Sequence, residues 1–186
     1  MKEIYKLSNF KQGDFYLLSN KIIENETIHE KDFSECSIRN VDFLNCIFKN
    51  SSFPCSKCEN LTFQNCIIEN VNFKKSELEN FVFQNCKLKS INFGRSYLME
   101  FHLINCKLND IFLNTGELTD LKFDKSHLKN IFFSGSLLDQ VKVKNSTLEK
   151  IDFDGAKVRK EIFINGKSII NHVPIKDYSN FLNEVN

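Results

Sequence analysis

The chain has 186 residues, of which 41% are hydrophobic and 26% charged, and a formal net charge of +1. That length suffices for one domain with a core of its own. The near-zero charge excludes a strongly basic nucleic-acid binder and an overall acidic mimic, so any electrostatic role must come from how charge is distributed.

At the N-terminus, Met1-Lys2-Glu3-Ile4-Tyr5-Lys6 lacks the apolar run of a signal peptide. Nowhere do about 18 apolar residues run together, so no membrane span is expected. The seven cysteines then read as free thiols in a reducing cytoplasm. Leu18, Ile23 and Ile28 begin a spacing of five, but Tyr16, Lys21 and Glu26, each two residues earlier, are too large for an interior. Residues 1–30 are therefore predicted to form an irregular N-terminal cap.

From Phe33 the spacing becomes unbroken. Apolar residues stand at every fifth position to Phe163, which makes 27 units, with Leu98 near the middle. A period of five suits neither a helix nor a plain strand; it suits a strand fragment plus a turn. The residue two before each centre is also apolar or small, as at Val41, Cys46, Leu61, Cys66 and Ser76, and two steps of extended chain return to the same side. Each unit thus turns two residues inward and three outward. Asn ends twelve of the 27 units, including Asn45, Asn65, Asn85 and Asn105. Asn tolerates the left-handed corner conformation, which explains how a chain with 6 Gly and 2 Pro turns so often.

Sorted at 20-residue spacing, the units fall into four columns. Phe33, Phe53, Phe73 and Phe93 head one, and Phe43, Phe63 and Phe83 head the column two sides away. The columns between pair mostly Leu with Cys, Ser, Gly or Ala, so large and small residues alternate around a filled interior.

Runs such as NVDFLNCIFKN (residues 40–50) and NVNFKKSELEN (70–80) resemble the pentapeptide-repeat family, over residues 31–165. Cys and Ser replace the Ala that is common before the centres in that family. The resemblance implies an all-β fold: a right-handed quadrilateral parallel β-helix, here of nearly seven coils. It is specific for fold and says little of function; a non-catalytic role is expected instead from the lack of converging catalytic groups.

Downstream, Asn165-Gly166 reads as a hairpin turn. Asp177 is placed to N-cap a short C-terminal helix whose apolar face is Tyr178, Phe181, Leu182 and Val185. Residues 166–186 are therefore a hairpin and helix cap. The helix has two readings, a lid on the last coil or a dimer contact, since quinolone-resistance members of the family form end-to-end dimers through this region.

Candidate chemistry is sparse. The four histidines, His29, His102, His127 and His172, do not converge, and no nucleophile elbow or phosphate loop occurs. Cys55-x-x-Cys58 lacks the second pair of a zinc site, and Cys58 is itself a centre. No metal, cofactor, membrane or direct nucleic-acid contact is expected. Cys46, Cys66, Cys86 and Cys106 form an inward column at coil spacing, read as small apolar filler.

Outward charge is uneven. Over five coils, the side spanning 57–140 carries Glu59, Glu77, Glu79, Glu100, Glu117, Asp120 and Asp139 against Lys57, a balance of −6, while the other three sides stand at +2, +3 and +1. Three roles fit. The first is a rigid protein-interaction scaffold. The second, implied by the quinolone-resistance members, is a DNA-mimic regulator of a type II topoisomerase. The third is a self-associating rod. Glu77, Glu79, Glu100, Glu117, Asp120 and Asp139 are the candidate binding residues.

Overall fold

A chain closes into a four-sided coil when every fifth residue turns it through a corner. In the computed structural model, which describes residues 2–6 and 17–170, φ is positive at every fifth residue from Asn20 to Gly155, from 50° at Lys125 to 67° at Gly135. Four such corners return the chain to its starting side, 20 residues on.

The four faces are named here by their centres. Face one holds Leu78 and Leu98, face two Phe83 and Leu103, face three Leu88 and Leu108, and face four Phe93 and Leu113. Eight-residue strands such as Glu77–Gln84, Tyr97–Ile104 and Glu117–Asp124 bend over one corner to cover faces one and two. They stack in parallel, with Leu98 between Leu78 and Leu118. A second parallel sheet, including Lys87–Asn92, Lys107–Phe112 and His127–Phe132, covers face three and enters face four. Face four closes with hydrogen-bonded turns, for example the Ser96 N–H onto the Phe93 carbonyl at 3.2 Å. The result is the all-β, right-handed quadrilateral β-helix expected from the repeat.

Every centre from Leu18 to Phe153 is buried. Phenylalanines of successive coils stack face to face: Phe53 on Phe73 at 4.8 Å and 14°, Phe73 on Phe93 at 5.2 Å and 8°, Phe63 on Phe83 at 4.7 Å and 10°. The small inward residues do more than fill space. Ser76 and Ser96 donate their hydroxyls to the carbonyls of Phe53 and Phe73, both at 2.7 Å. The Cys66 and Cys86 thiols sit likewise at 3.4 and 3.3 Å from the carbonyls of Phe43 and Phe63. Each thus satisfies a carbonyl of the preceding coil, which Ala could not do. The neighbouring Cys66 thiol and then burial push the Cys46 thiol well above its ordinary range.

Cys55 is exposed, and Cys36, Cys46, Cys58, Cys66, Cys86 and Cys106 are buried free thiols. A thiol reagent is therefore expected to label one cysteine rapidly in the native protein and the other six only on unfolding. Mass spectrometry of pulse-labelled protein measures this. Fast labelling of the Cys46–Cys106 column would contradict its inward placement.

The ends depart from the repeat. Leu17–Glu24 and Thr27–His29 already lie in the two parallel stacks, so regular coils begin upstream of the expected boundary at residue 31. Lys21 fits the inward position because its Nζ meets Glu3 at 2.6 Å and lies over the Tyr5 ring. Glu3–Ile4 pairs with Lys21–Ile22 and covers the first coil's edge. With Glu161–Ile164 as the last rung, eight coils stack rather than nearly seven.

The expected register to Phe163 does not hold. Val141 pairs with Ile162 and Val143 with Ile164, a step of 21 residues, so Ile162 and Ile164 are buried while Phe163 is only half-buried. The extra residue is absorbed at Arg159-Lys160, where no left-handed corner occurs. The physical reason is the hairpin that follows. Asn165-Gly166, with φ of 45° and 91°, turns Lys167–Ile170 back antiparallel onto Glu161–Ile164 and covers the exposed edge. The helix expected near Asp177, with Tyr178, Phe181, Leu182 and Val185, lies outside the described residues, among which there is no helix.

Candidate interaction face

On face one, the residues beside each buried centre point to solvent, and parallel register stacks them in straight rows. Glu59 stands beside Glu79, and Thr119 beside Asp139. The six candidate residues do share this face, but they are not equivalent. Glu77 pairs with Lys57 at 3.1 Å. Asp120 takes Lys122 at 2.6 Å and His102 at 3.7 Å, both reaching over the corner from face two. Burial opposes ionisation of Asp120, but Lys122, helped by His102, outweighs it and holds the carboxyl below its usual range. Asp139 pairs with Lys160 at 3.1 Å and is only 14% exposed at its side chain. Glu59 faces Arg39 at 3.7 Å.

Glu79, Glu100 and Glu117 remain. All three are exposed and have no ion-pair partner among the described residues. The face is therefore less acidic than the count over residues 57–140 suggested. Arg39 and Lys160 lie outside that window, and Lys122 belongs to the next face. The register itself signals the first of these, since Arg39 and Glu59 are 20 residues apart. Lys160 could not be found this way, because it lies in the slipped coil.

Tyr97 was not anticipated. It is 40% exposed on this face and, with Lys57, Glu59, Glu77 and Glu79, borders a shallow depression of about 470 Å³. Carboxylates beside an aromatic wall attract Lys or Arg side chains. No nucleophile–base pair accompanies them. Among the described residues, no group of His, Cys, Asp and Glu is arranged to hold a metal ion, and no helix is long and apolar enough to cross a membrane.

Comparison with known proteins bears on the family. The pentapeptide repeat region model matches residues 36–113 and 76–153. No curated protein matches the chain in sequence. Among solved structures, the chain resembles HetL, a pentapeptide repeat protein involved in heterocyst differentiation regulation from the cyanobacterium Nostoc sp. strain PCC 7120. The TM-score is 0.52 and the identity 11%, over 77% of this chain and 87% of HetL. QnrB1, a plasmid-mediated fluoroquinolone resistance protein, matches at 0.43 and 14% identity, over 74% of this chain and 92% of its own. The likeness to HetL is one of fold. The repeat, the four-sided coil and the matching model together show that this chain belongs to the pentapeptide-repeat family.

Proposed function

We propose that this protein is a non-catalytic scaffold that presents face one to a basic surface on a protein partner. One observation carries the reading: Glu79, Glu100 and Glu117 are exposed, lack counter-charges among the described residues and stand on a continuous sheet that cannot rearrange without breaking its ladder. Pre-set carboxylates dock a complementary groove with little loss of side-chain and backbone freedom beyond their own. The buried free thiols support a reducing, cytoplasmic setting.

The same carboxylates favour a second reading in which the partner is a type II topoisomerase and the face stands in for DNA. The test separates the two. Wild-type protein is titrated into a gyrase supercoiling assay with and without a fluoroquinolone, alongside Glu79→Lys/Glu100→Lys/Glu117→Lys and the opposite-face control Lys87→Glu/Lys89→Glu/Lys107→Glu. On the topoisomerase reading, wild type and control alter supercoiling and the Glu→Lys variant loses at least tenfold in potency, more so at low salt. A wild type without effect rejects gyrase as partner. The scaffold reading then rests on proteins cross-linked to the wild type in bacterial lysate, and an identical set on the Glu→Lys variant rejects it.

A further inference from the structure

Face four carries an outward column that keeps one local rule and breaks it twice. Just before each centre, Asp32, Asn72, Asn92 and Asp152 accept the backbone N–H two residues on, from Ser34, Lys74, Gly94 and Asp154, at 3.0, 3.1, 2.9 and 2.8 Å. These short side chains cap their own turns. Ser52 precedes Pro54, which has no N–H to offer. The remaining two members of the column are Phe112 and Phe132, which can cap nothing.

Instead their rings stack on the outside of the rod, centroids 5.0 Å apart and planes 8° apart, with Phe112 39% exposed. The same coil shows a second departure. Thr115, β-branched, holds the left-handed corner at φ 54°, a conformation that β-branched residues avoid. Gly135, at φ 67°, lies under its methyl group, where a Cβ would come within 3.2 Å of it. Two turn caps are forgone and a corner is strained where the outcome is a flat aromatic platform. Such local conflicts mark functional surfaces when nothing inside the monomer offsets them.

We propose that this platform is the centre of a twofold contact with a second copy of this chain, face four against face four, with the rods antiparallel. Charge along the face selects that occupant. Lys74, Lys75 and Arg95 lie in the two coils just before the rings, and Asp152 and Asp154 in the coil just after; the acids Asp32 and Glu35 of the same face lie farther towards the N-terminus, outside an overlap centred on the rings, and are not among these five. None of the five has an ion-pair partner among the described residues. Arg95 lies one coil before Phe112, and Asp152 and Asp154 lie one coil after Phe132. A twofold axis between the two rings therefore sets the Arg95 coil of each copy opposite the Asp152–Asp154 coil of the other. A parallel arrangement would set like charge on like. With the axis between the rings, about four coils of each face overlap, roughly 20 Å of rod, which is below the size of a stable specific interface, so the dimer is weak and forms in fast exchange. It does not use face one, so its outcome is independent of the scaffold reading.

Sedimentation velocity over a hundredfold concentration series into the millimolar range tests it. Wild type is expected to shift from monomer towards dimer. Phe112→Asn/Phe132→Asn restores the caps used above and below, so it should melt at or above the wild-type temperature while associating at least tenfold more weakly. Lys75→Glu/Arg95→Glu and Asp152→Lys/Asp154→Lys should each fail to self-associate and should dimerise when mixed, which only the antiparallel pairing allows. A wild type that stays monomeric overturns the proposal. So does association that survives loss of both rings, or that is lost instead on Phe181→Ser at the C-terminal end.

Discussion

Leu98→Asp is expected to prevent folding, whereas Glu100→Lys, two residues on, should change stability by no more than about 0.5 kcal/mol. Leu98 is fully buried and packed in register between Leu78 and Leu118, in the fifth of eight coils. The substitution removes about 2 kcal/mol of apolar burial. It also places a carboxylate where no donor or water reaches it, a penalty of several kcal/mol more. Together these approach the whole stability of an ordinary domain, about 5–15 kcal/mol. In a stacked coil the damage also spreads, because each coil is held mainly by its two neighbours. Glu100 shares the strand but faces water. Circular dichroism melts and gel filtration of both variants measure the contrast. Equal melting of the two would mean that the inward and outward positions have been exchanged.

The coil was legible because the five-residue period implies a strand fragment plus a corner, and the 20-residue columns, with the resemblance to the pentapeptide-repeat family, imply four sides. An inward pair and a left-handed corner, repeated four times, return the chain to its start, and the apolar series 33, 38, 43 onward states the repeating unit without any contact being known. The columns at 20-residue spacing likewise foretold the stacked Phe ladders. What escaped notice lies where a second pattern competes with the first. Phe163 satisfies the period of five, but Ile162 and Ile164 satisfy the alternation of a hairpin strand, and the edge-covering hairpin prevails. At the other end Lys21 breaks the apolar rule, yet its stem packs inward while its ammonium reaches Glu3. The acidic face was legible as a count and not as a set of free charges, because counter-ions arrive over a corner, as Lys122 does, or from a coil outside the window, as Arg39 does. The face-four platform escaped notice because Phe112 and Phe132 look like two more aromatics in a chain that has 19 Phe. Their oddity appears only beside the Asx caps they replace.

Asn60 shows why Asn dominates the corners, and its variants should separate two effects that sequence alone merges. Its backbone holds φ 56°, its amide donates to the Asn40 carbonyl oxygen at 2.9 Å, and it accepts from Asn80 at 2.7 Å. The same ladder runs from Asn25 to Asn105 along the next corner. Asn60→Gly keeps the corner conformation and loses the two ladder hydrogen bonds and a longer one to Glu59, for a cost of about 1–2 kcal/mol. Asn60→Ala loses the same bonds and also the local polar contacts by which Asn tolerates the left-handed region, so it should cost about 1 kcal/mol more than Asn60→Gly. Asn60→Val should be worst, since a β-branched residue resists that conformation most. Two corners along the same column, Glu100 holds φ 54° without extending the ladder. Glu100→Asn should therefore raise stability, by about 1 kcal/mol from one added hydrogen bond together with the relief of strain. Urea denaturation of the four variants gives the order. If Asn60→Gly matches wild type, the ladder contributes nothing and corner geometry alone explains the asparagines. If Asn60→Gly and Asn60→Ala are equally destabilised, the ladder explains them and the left-handed preference does not.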